Sequence, residues 1–99
     1  MVVKEAKSFF QRFIGLMWKK GMNFEGLLFR NCAAVHTCFM KFTICIMFLD
    51  ENDKVLDYQI LKPWKVSKIV EGTKHILETQ WQEEKAKEIV GQVIQMEVC

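Results

Sequence analysis

The hydrophobic positions change period along the chain, and each change marks an element. From Glu5 to Lys20, Phe9, Phe10, Phe13, Leu16 and Met17 recur at helical spacing while Lys7, Gln11 and Arg12 take the opposite side, which predicts an amphipathic N-terminal helix stopped at Gly21. Gly26-Leu27-Leu28-Phe29-Arg30 predicts a short strand. In Ala34 to Met40 the period falls to two: Ala34, His36, Cys38 and Met40 share one face, and Val35, Thr37 and Phe39 the other. Ile44 to Leu49 is unbroken apolar and too short for an ordinary helix, so it reads as a central strand. These two runs flank Lys41-Phe42-Thr43 as neighbouring β segments sheltered by the leading helix.

Asp50-Glu51-Asn52-Asp53 supplies turn residues, and Lys54 to Ile60 resumes extended structure, which predicts a hairpin. Pro63 lacks a backbone donor and ends the ladder. Residues 66–72 read as irregular. Thr73 to Thr79 fits another strand, with His75 and Leu77 on one face, Ile76 and Glu78 on the other, and His75 at its surface. Gln82 to Val90 predicts a helix of about two turns, with Gly91 as its stop. Val93 to Val98 alternates as a final half-buried strand. The sum is one domain over 1–99, mainly β: an antiparallel barrel-like or sandwich-like sheet with an N-terminal helix and a short C-terminal helix.

Composition narrows the functional classes. A hydrophobic fraction of 51% with 26% charged residues is globular rather than disordered. Net charge is only +2, the lysines are dispersed among acids, and Arg12 and Arg30 are the sole arginines, which argues against nucleic-acid binding. No apolar run reaches the length of a bilayer crossing, and Lys4, Glu5 and Lys7 interrupt the start, so neither a transmembrane segment nor a leader is expected. Four cysteines in such a chain read as reduced thiols in the cytoplasm.

Candidate chemistry is sparse. Cys32, His36, Cys38 and Cys45 contain zinc-ligand types, but no close cysteine pair makes a metal site readable, and no metal or cofactor is expected. His36 could activate Cys38, yet two positions along a strand are about 7 Å apart and no acid is placed to orient the imidazole. Asp50, Asp53 and Asp57 could act as paired carboxylates, although turns collect solvated acids for backbone reasons. Lys62, Trp64, Lys65 and Lys68 set cations beside an indole. The leading expectation is a non-catalytic module that binds a small ligand or peptide in a groove near His36, Met40, Trp64 and Lys62. The alternatives are a hydrolase-like enzyme using His36 with Asp50, Asp57 or a cysteine such as Cys38, and a structural protein forming a homodimer.

Several ordered segments carry a resemblance. Arg12-x-x-Gly15-Leu16-Met17, Gly26-Leu27-Leu28-Phe29, Cys32-x-x-Val35-His36-Thr37-x-Phe39-Met40-Lys41-Phe42, Phe48-Leu49-Asp50, Lys62-Pro63-Trp64 and Ile76-Leu77-Glu78 together resemble the DUF192 family of uncharacterised bacterial and archaeal proteins. The likeness runs from about Ala6 to Val98. It implies a compact, predominantly antiparallel β domain with a few short helices and implies no particular reaction. Thr43 and Cys45 stand where the family usually has proline and aspartate, and Gln92 replaces the acid of a Gly-Asp pair; a family site using those acids would be altered here.

Overall fold

The computed structural model describes residues 1–5, 26–36 and 43–98, and within them six strands share one sheet. In chain order these are β1 (Val2–Glu5), β2 (Gly26–Phe29), β3 (Ile44–Leu49), β4 (Val55–Leu61), β5 (His75–Thr79) and β6 (Glu97–Val98), with a single described helix, α1 (Glu83–Ile89), before β6. Their order across the sheet is β4-β3-β5-β2-β1-β6. β3 pairs antiparallel with β4 and with β5, and β5 pairs antiparallel with β2. β1 runs parallel to both β2 and β6, so the sheet is mixed rather than wholly antiparallel.

The unbroken apolar run of β3 follows from burial on both faces. One face gathers Leu27, Phe29, Ile44, Ile46, Phe48 and Ile76, with Val35, Leu61, Cys32 and Val70 packed against them. The other gathers Leu28, Cys45, Met47, Leu49 and Leu77 beneath Ala86 and Ile89 of α1, with Trp81, Ile94 and Met96 alongside. At seven residues α1 is too short to persist on propensity, and its buried Ala86 ties it to the sheet. Glu83 and Glu84 in its first turn and Lys87 in its last complement the helix dipole, and Gly91 follows at φ +91°.

The C-terminal segment bonds to residues of both β4 and β1 or of the turns beside them. Val55 N–H donates to Gln92 O at 2.9 Å, Gly91 N–H to Val55 O at 2.8 Å and Ile94 N–H to Asp53 O at 3.0 Å, all beside β4. Farther on, Glu97 N–H donates to Met1 O at 2.7 Å, and the N-terminal ammonium to Gln95 O at 3.0 Å, beside β1.

Several expectations change. Glu5 ends β1 instead of opening a helix, and the rest of the predicted N-terminal helix lies outside the described residues. Ala34 to His36 is a loop with one isolated bridge, and residues 37–40 of the predicted strand lie outside the described residues. The described neighbours of β3 in the sheet are β4 and β5, not the 34–40 segment expected beside it. His75 is buried rather than at a strand surface, because β5 lies between two other strands. The predicted 93–98 strand shrinks to Glu97–Val98 plus a bridge between Val93 and Lys54.

Candidate functional site

The loop after β4 meets the loop after β2, and three contacts clasp them. Val35 N–H donates to Ser67 Oγ at 2.9 Å, Ser67 N–H returns to Val35 O at 2.8 Å, and His36 bridges Val66. Ser67 is thereby buried while Val66, its neighbour, faces out. Next, Lys68 N–H donates to Gln59 Oε1 at 2.8 Å and Lys68 Nζ to Asp57 Oδ2 at 2.7 Å, fastening the loop to β4. The Lys68 ammonium holds the Asp57 carboxyl below its ordinary range.

That fastening leaves large apolar groups in water: Trp64 is 62% exposed, Val66 71% and Ile69 74%. Trp64 also has φ +63° immediately after Pro63, the dihedral sign that the second central position of a type II turn demands and that glycine ordinarily supplies. A tryptophan held there costs on the order of 1–3 kcal/mol of backbone strain. Lys62, Trp64, Lys65 and His36 each interact with another group of the protein. The structure thus brings His36, Trp64 and Lys62 to one pair of joined loops, while Met40 lies outside the described residues.

The remaining candidates disperse. Cys32 packs on one face of the sheet and Cys45 on the other, so these two thiols cannot share an ion; Cys38 lies outside the described residues. Burial pushes the Cys45 thiol up to about 11 and raises that of Cys32, the reverse of what a nucleophile requires. Asp50 accepts from the backbone N–H of Asn52 and Lys54 at 2.8 and 3.0 Å, which makes it a turn builder. Asp53 takes Arg30 through both guanidinium nitrogens, at 2.6 and 3.3 Å. His75 Nδ1 accepts Asn31 N–H at 3.1 Å, and burial followed by the Arg30 charge lowers its pKa, favouring the neutral ring.

Sequence reasoning missed Glu78. It lies mid-strand in β5, directly between Leu27 of β2 and Ile46 of β3, and is fully buried. Neither carboxyl oxygen has a hydrogen-bond partner among the described residues. Desolvation pushes its pKa up to about 8, so the group is mostly the neutral acid at pH 7. The available signal was an acid inside the short run Ile76-Leu77-Glu78-Thr79, with apolar neighbours on its own face.

Two clefts flank Trp81. One of about 340 Å³ is lined by Thr43, Ile60, Trp81 and Glu83 among others, and Tyr58 Oη donates to Glu83 Oε2 at 3.1 Å nearby. The other, about 230 Å³, includes Met1, Trp81, Ile89 and Ile94, with Lys85 Nζ 4.6 Å from the Trp81 ring centre. Neither is lined by His36, Trp64 or Lys62. No described helix is long and apolar enough to cross a membrane.

Comparison with known proteins places this geometry in context. The profile of the DUF192 family, described as an uncharacterised group, matches residues 1–96. A UPF0127 protein of Pyrococcus furiosus is 37% identical over 89 residues, covering 77% of this chain and 75% of that protein. A UPF0127 protein of Thermococcus sibiricus is 37% identical over 83 residues, covering 78% of this chain and 53% of its own length, and one of Pyrococcus horikoshii is 40% identical over 70 residues, covering 65% and 59%. No solved structure matches.

Proposed function

Because the chain belongs to the DUF192 family of uncharacterised archaeal and bacterial proteins, we propose its function from its own geometry: a non-catalytic binding module whose contact surface is the clasped loop pair carrying His36, Lys62, Trp64, Val66 and Ile69. One observation carries this reading. Three large apolar side chains are held in water within six residues, on a loop fixed by Ser67 and Lys68, where folding alone would favour polar residues. The groove expected near His36, Met40 and Trp64 is narrowed in this reading to the exposed side chains of the clasped loops.

The hydrolase-like alternative has less support, since Asp50 accepts from the turn amides of Asn52 and Lys54, and Asp57 from the Tyr58 amide and Lys68 Nζ. Barrel-like closure of the sheet belongs to the proposal and is supported by segment 91–98 bonding beside both β4 and β1. A reducing cytoplasmic setting is supported by Cys32 and Cys45 as free thiols.

The test is an amide NMR titration with anilinonaphthalene sulfonate, an apolar anionic dye. Perturbations concentrated at residues 62–69 and His36, and weakened by Val66→Ser with Ile69→Ser, are the expected result. Perturbations confined to the clefts around Trp81 would remove the loop face as the contact surface.

A further inference from the structure

The cleft of about 340 Å³ at the start of α1 holds a carboxylate whose two oxygens are served unequally. It opens where β3 begins and β4 and β5 end, between Thr43, Ile60, Gln80 and Trp81, with Gln82 and Glu83 on the α1 side. Tyr58 Oη donates to Glu83 Oε2 at 3.1 Å and so fixes the carboxylate from β4. Lys87 Nζ stands 3.9 Å from Oε1, beyond hydrogen-bond distance, and both of those side chains are more than half exposed, so that pair is solvated and weak. An ionised carboxylate offers about four acceptor sites, of which Tyr58 fills one. Glu83 therefore keeps acceptor capacity at Oε1. The end of the helix does not reverse the sign of the cleft, because its positive pole is worth about half a charge at most, and Glu83 and Glu84 both stand in the first turn.

The rest of the lining suits a cationic guest with an apolar body. Gln80 and Gln82 bring side-chain carbonyls and Thr43 a hydroxyl, all exposed and all able to accept. Ile60 is an aliphatic residue 37% in water here, and Trp81 adds an indole, so a ligand has apolar surface to cover. The chain already sets one ammonium against that ring: Lys85 Nζ lies 4.6 Å from its centre, in the neighbouring cleft. An anion would meet the Glu83 charge, and a neutral molecule would leave it unanswered. Between cations, a guanidinium gains most from gripping both oxygens of a carboxylate, and Tyr58 occupies Oε2. An ammonium is a point charge with three donors and needs only Oε1 and neighbouring acceptors.

We propose that this cleft binds a small primary amine with an apolar or aromatic body, its ammonium on Glu83 Oε1 and a glutamine carbonyl, its body against Ile60 and Trp81. Tyr58 is a positioning residue, holding Oε2 so that Oε1 meets the guest. The site goes beyond the reading of the clasped loops and shares none of their residues, so either can fail alone.

Amide NMR titration of the full chain with phenethylamine tests it, with phenethyl alcohol, hydrocinnamate and benzylguanidine as comparisons. Saturable shifts at Thr43, Ile60 and residues 80–83 are expected, with the amine bound at least about tenfold more tightly than the alcohol and hydrocinnamate moving none of these amides. Glu83→Gln should weaken the amine about tenfold and leave the alcohol unchanged, with circular dichroism as in the wild type. Tyr58→Phe should weaken the amine about threefold and raise benzylguanidine relative to it, because both oxygens are then open to a two-pronged grip. A loss of packing alone would lower every ligand alike, so this change of preference separates positioning from structure. Equal affinity for amine and alcohol, indifference to Glu83→Gln, shifts that do not saturate, or shifts confined to other parts of the chain would overturn the proposal. The dye titration reports on the loops separately: its failure there leaves amine binding at the cleft standing, and failure of the amine leaves the loop face standing.

Discussion

Glu78 and the 62–69 loop invert the usual distribution of polarity in opposite directions. Glu78 is an acid with zero exposure between Leu27 and Ile46, and Ile69 is an aliphatic residue 74% in water. The two inversions differ in what they act on. A buried carboxyl with no hydrogen-bond partner among the described residues weighs on the folded state itself, because its ionisation must occur in an apolar setting. An exposed apolar side chain leaves the fold nearly untouched, since it is in water before and after folding, and weighs instead on what the surface adheres to. Stability measurements therefore report on the first, and binding measurements on the second.

The largest expected effect is at Glu78. Its folded pKa of about 8 lies above the ordinary 4.5, so between those values the folded chain holds a proton that the unfolded chain has released. Stability contributed by the protonated acid is complete below about pH 4.5 and is lost as pH rises to about 8, a total on the order of 5 kcal/mol. Urea unfolding of the wild type from pH 5 to pH 9 should show this decline, and Glu78→Met should flatten it and be the more stable protein at pH 9. A Glu78→Met profile that still falls through the same window would place the proton elsewhere. On the acid side, His75 has a lowered pKa, so the unfolded chain takes up the proton first and stability should fall as pH drops below about 6.5. An NMR titration of the His75 ring checks the sign: its midpoint should lie below the ordinary value.

A smaller effect is expected beside Glu78 at Gly26. A Cβ there would sit 2.9 Å from the Glu78 carbonyl oxygen and 2.9 Å from Leu77 Cδ1. Gly26→Ala should cost about 1–3 kcal/mol through forced separation of β2 and β5, measurable by denaturation. Smaller still is Lys68→Ala. Both side chains of the Lys68–Asp57 pair are more than two-fifths exposed, so the loss should stay within about 1 kcal/mol, with loosening of the 62–70 amides in hydrogen exchange as its clearer sign. Smallest for stability is Val66→Ser with Ile69→Ser, expected within about 0.5 kcal/mol of wild type for each change. A large destabilisation there would show that these side chains serve the core and would erase the contrast with Glu78.

Local pattern carried much of the fold. The uniform apolar run of β3 announces a strand buried on both faces, the Asp50 to Asp53 turn announces the hairpin to β4, and Pro63 marks its end. What misled was the alternation of Ala34 to His36, which satisfies a strand template equally well when the residues sit in a loop held by Ser67. β1 escaped because Val2-Val3-Lys4-Glu5 is too short to show a period, and its pairing depends on partners far along the chain. For the candidate site, sequence supplied the residue types of Lys62, Trp64, Lys65 and Lys68 but nothing to say whether Trp64 faces core or water.

By itself, then, the sequence determined the strand-forming runs, the turn chemistry at Asp50 to Asp53, the short acid-led helix and an acid-free lysine stretch, because each depends on neighbours within a few residues. Tertiary structure alone decided that β5 inserts between β3 and β2, which is what buries Glu78 and His75, and that Ser67 turns inward so that Val66 turns out. Those outcomes depend on contacts between residues tens of positions apart, and burial is a property of such contacts rather than of any one stretch of chain.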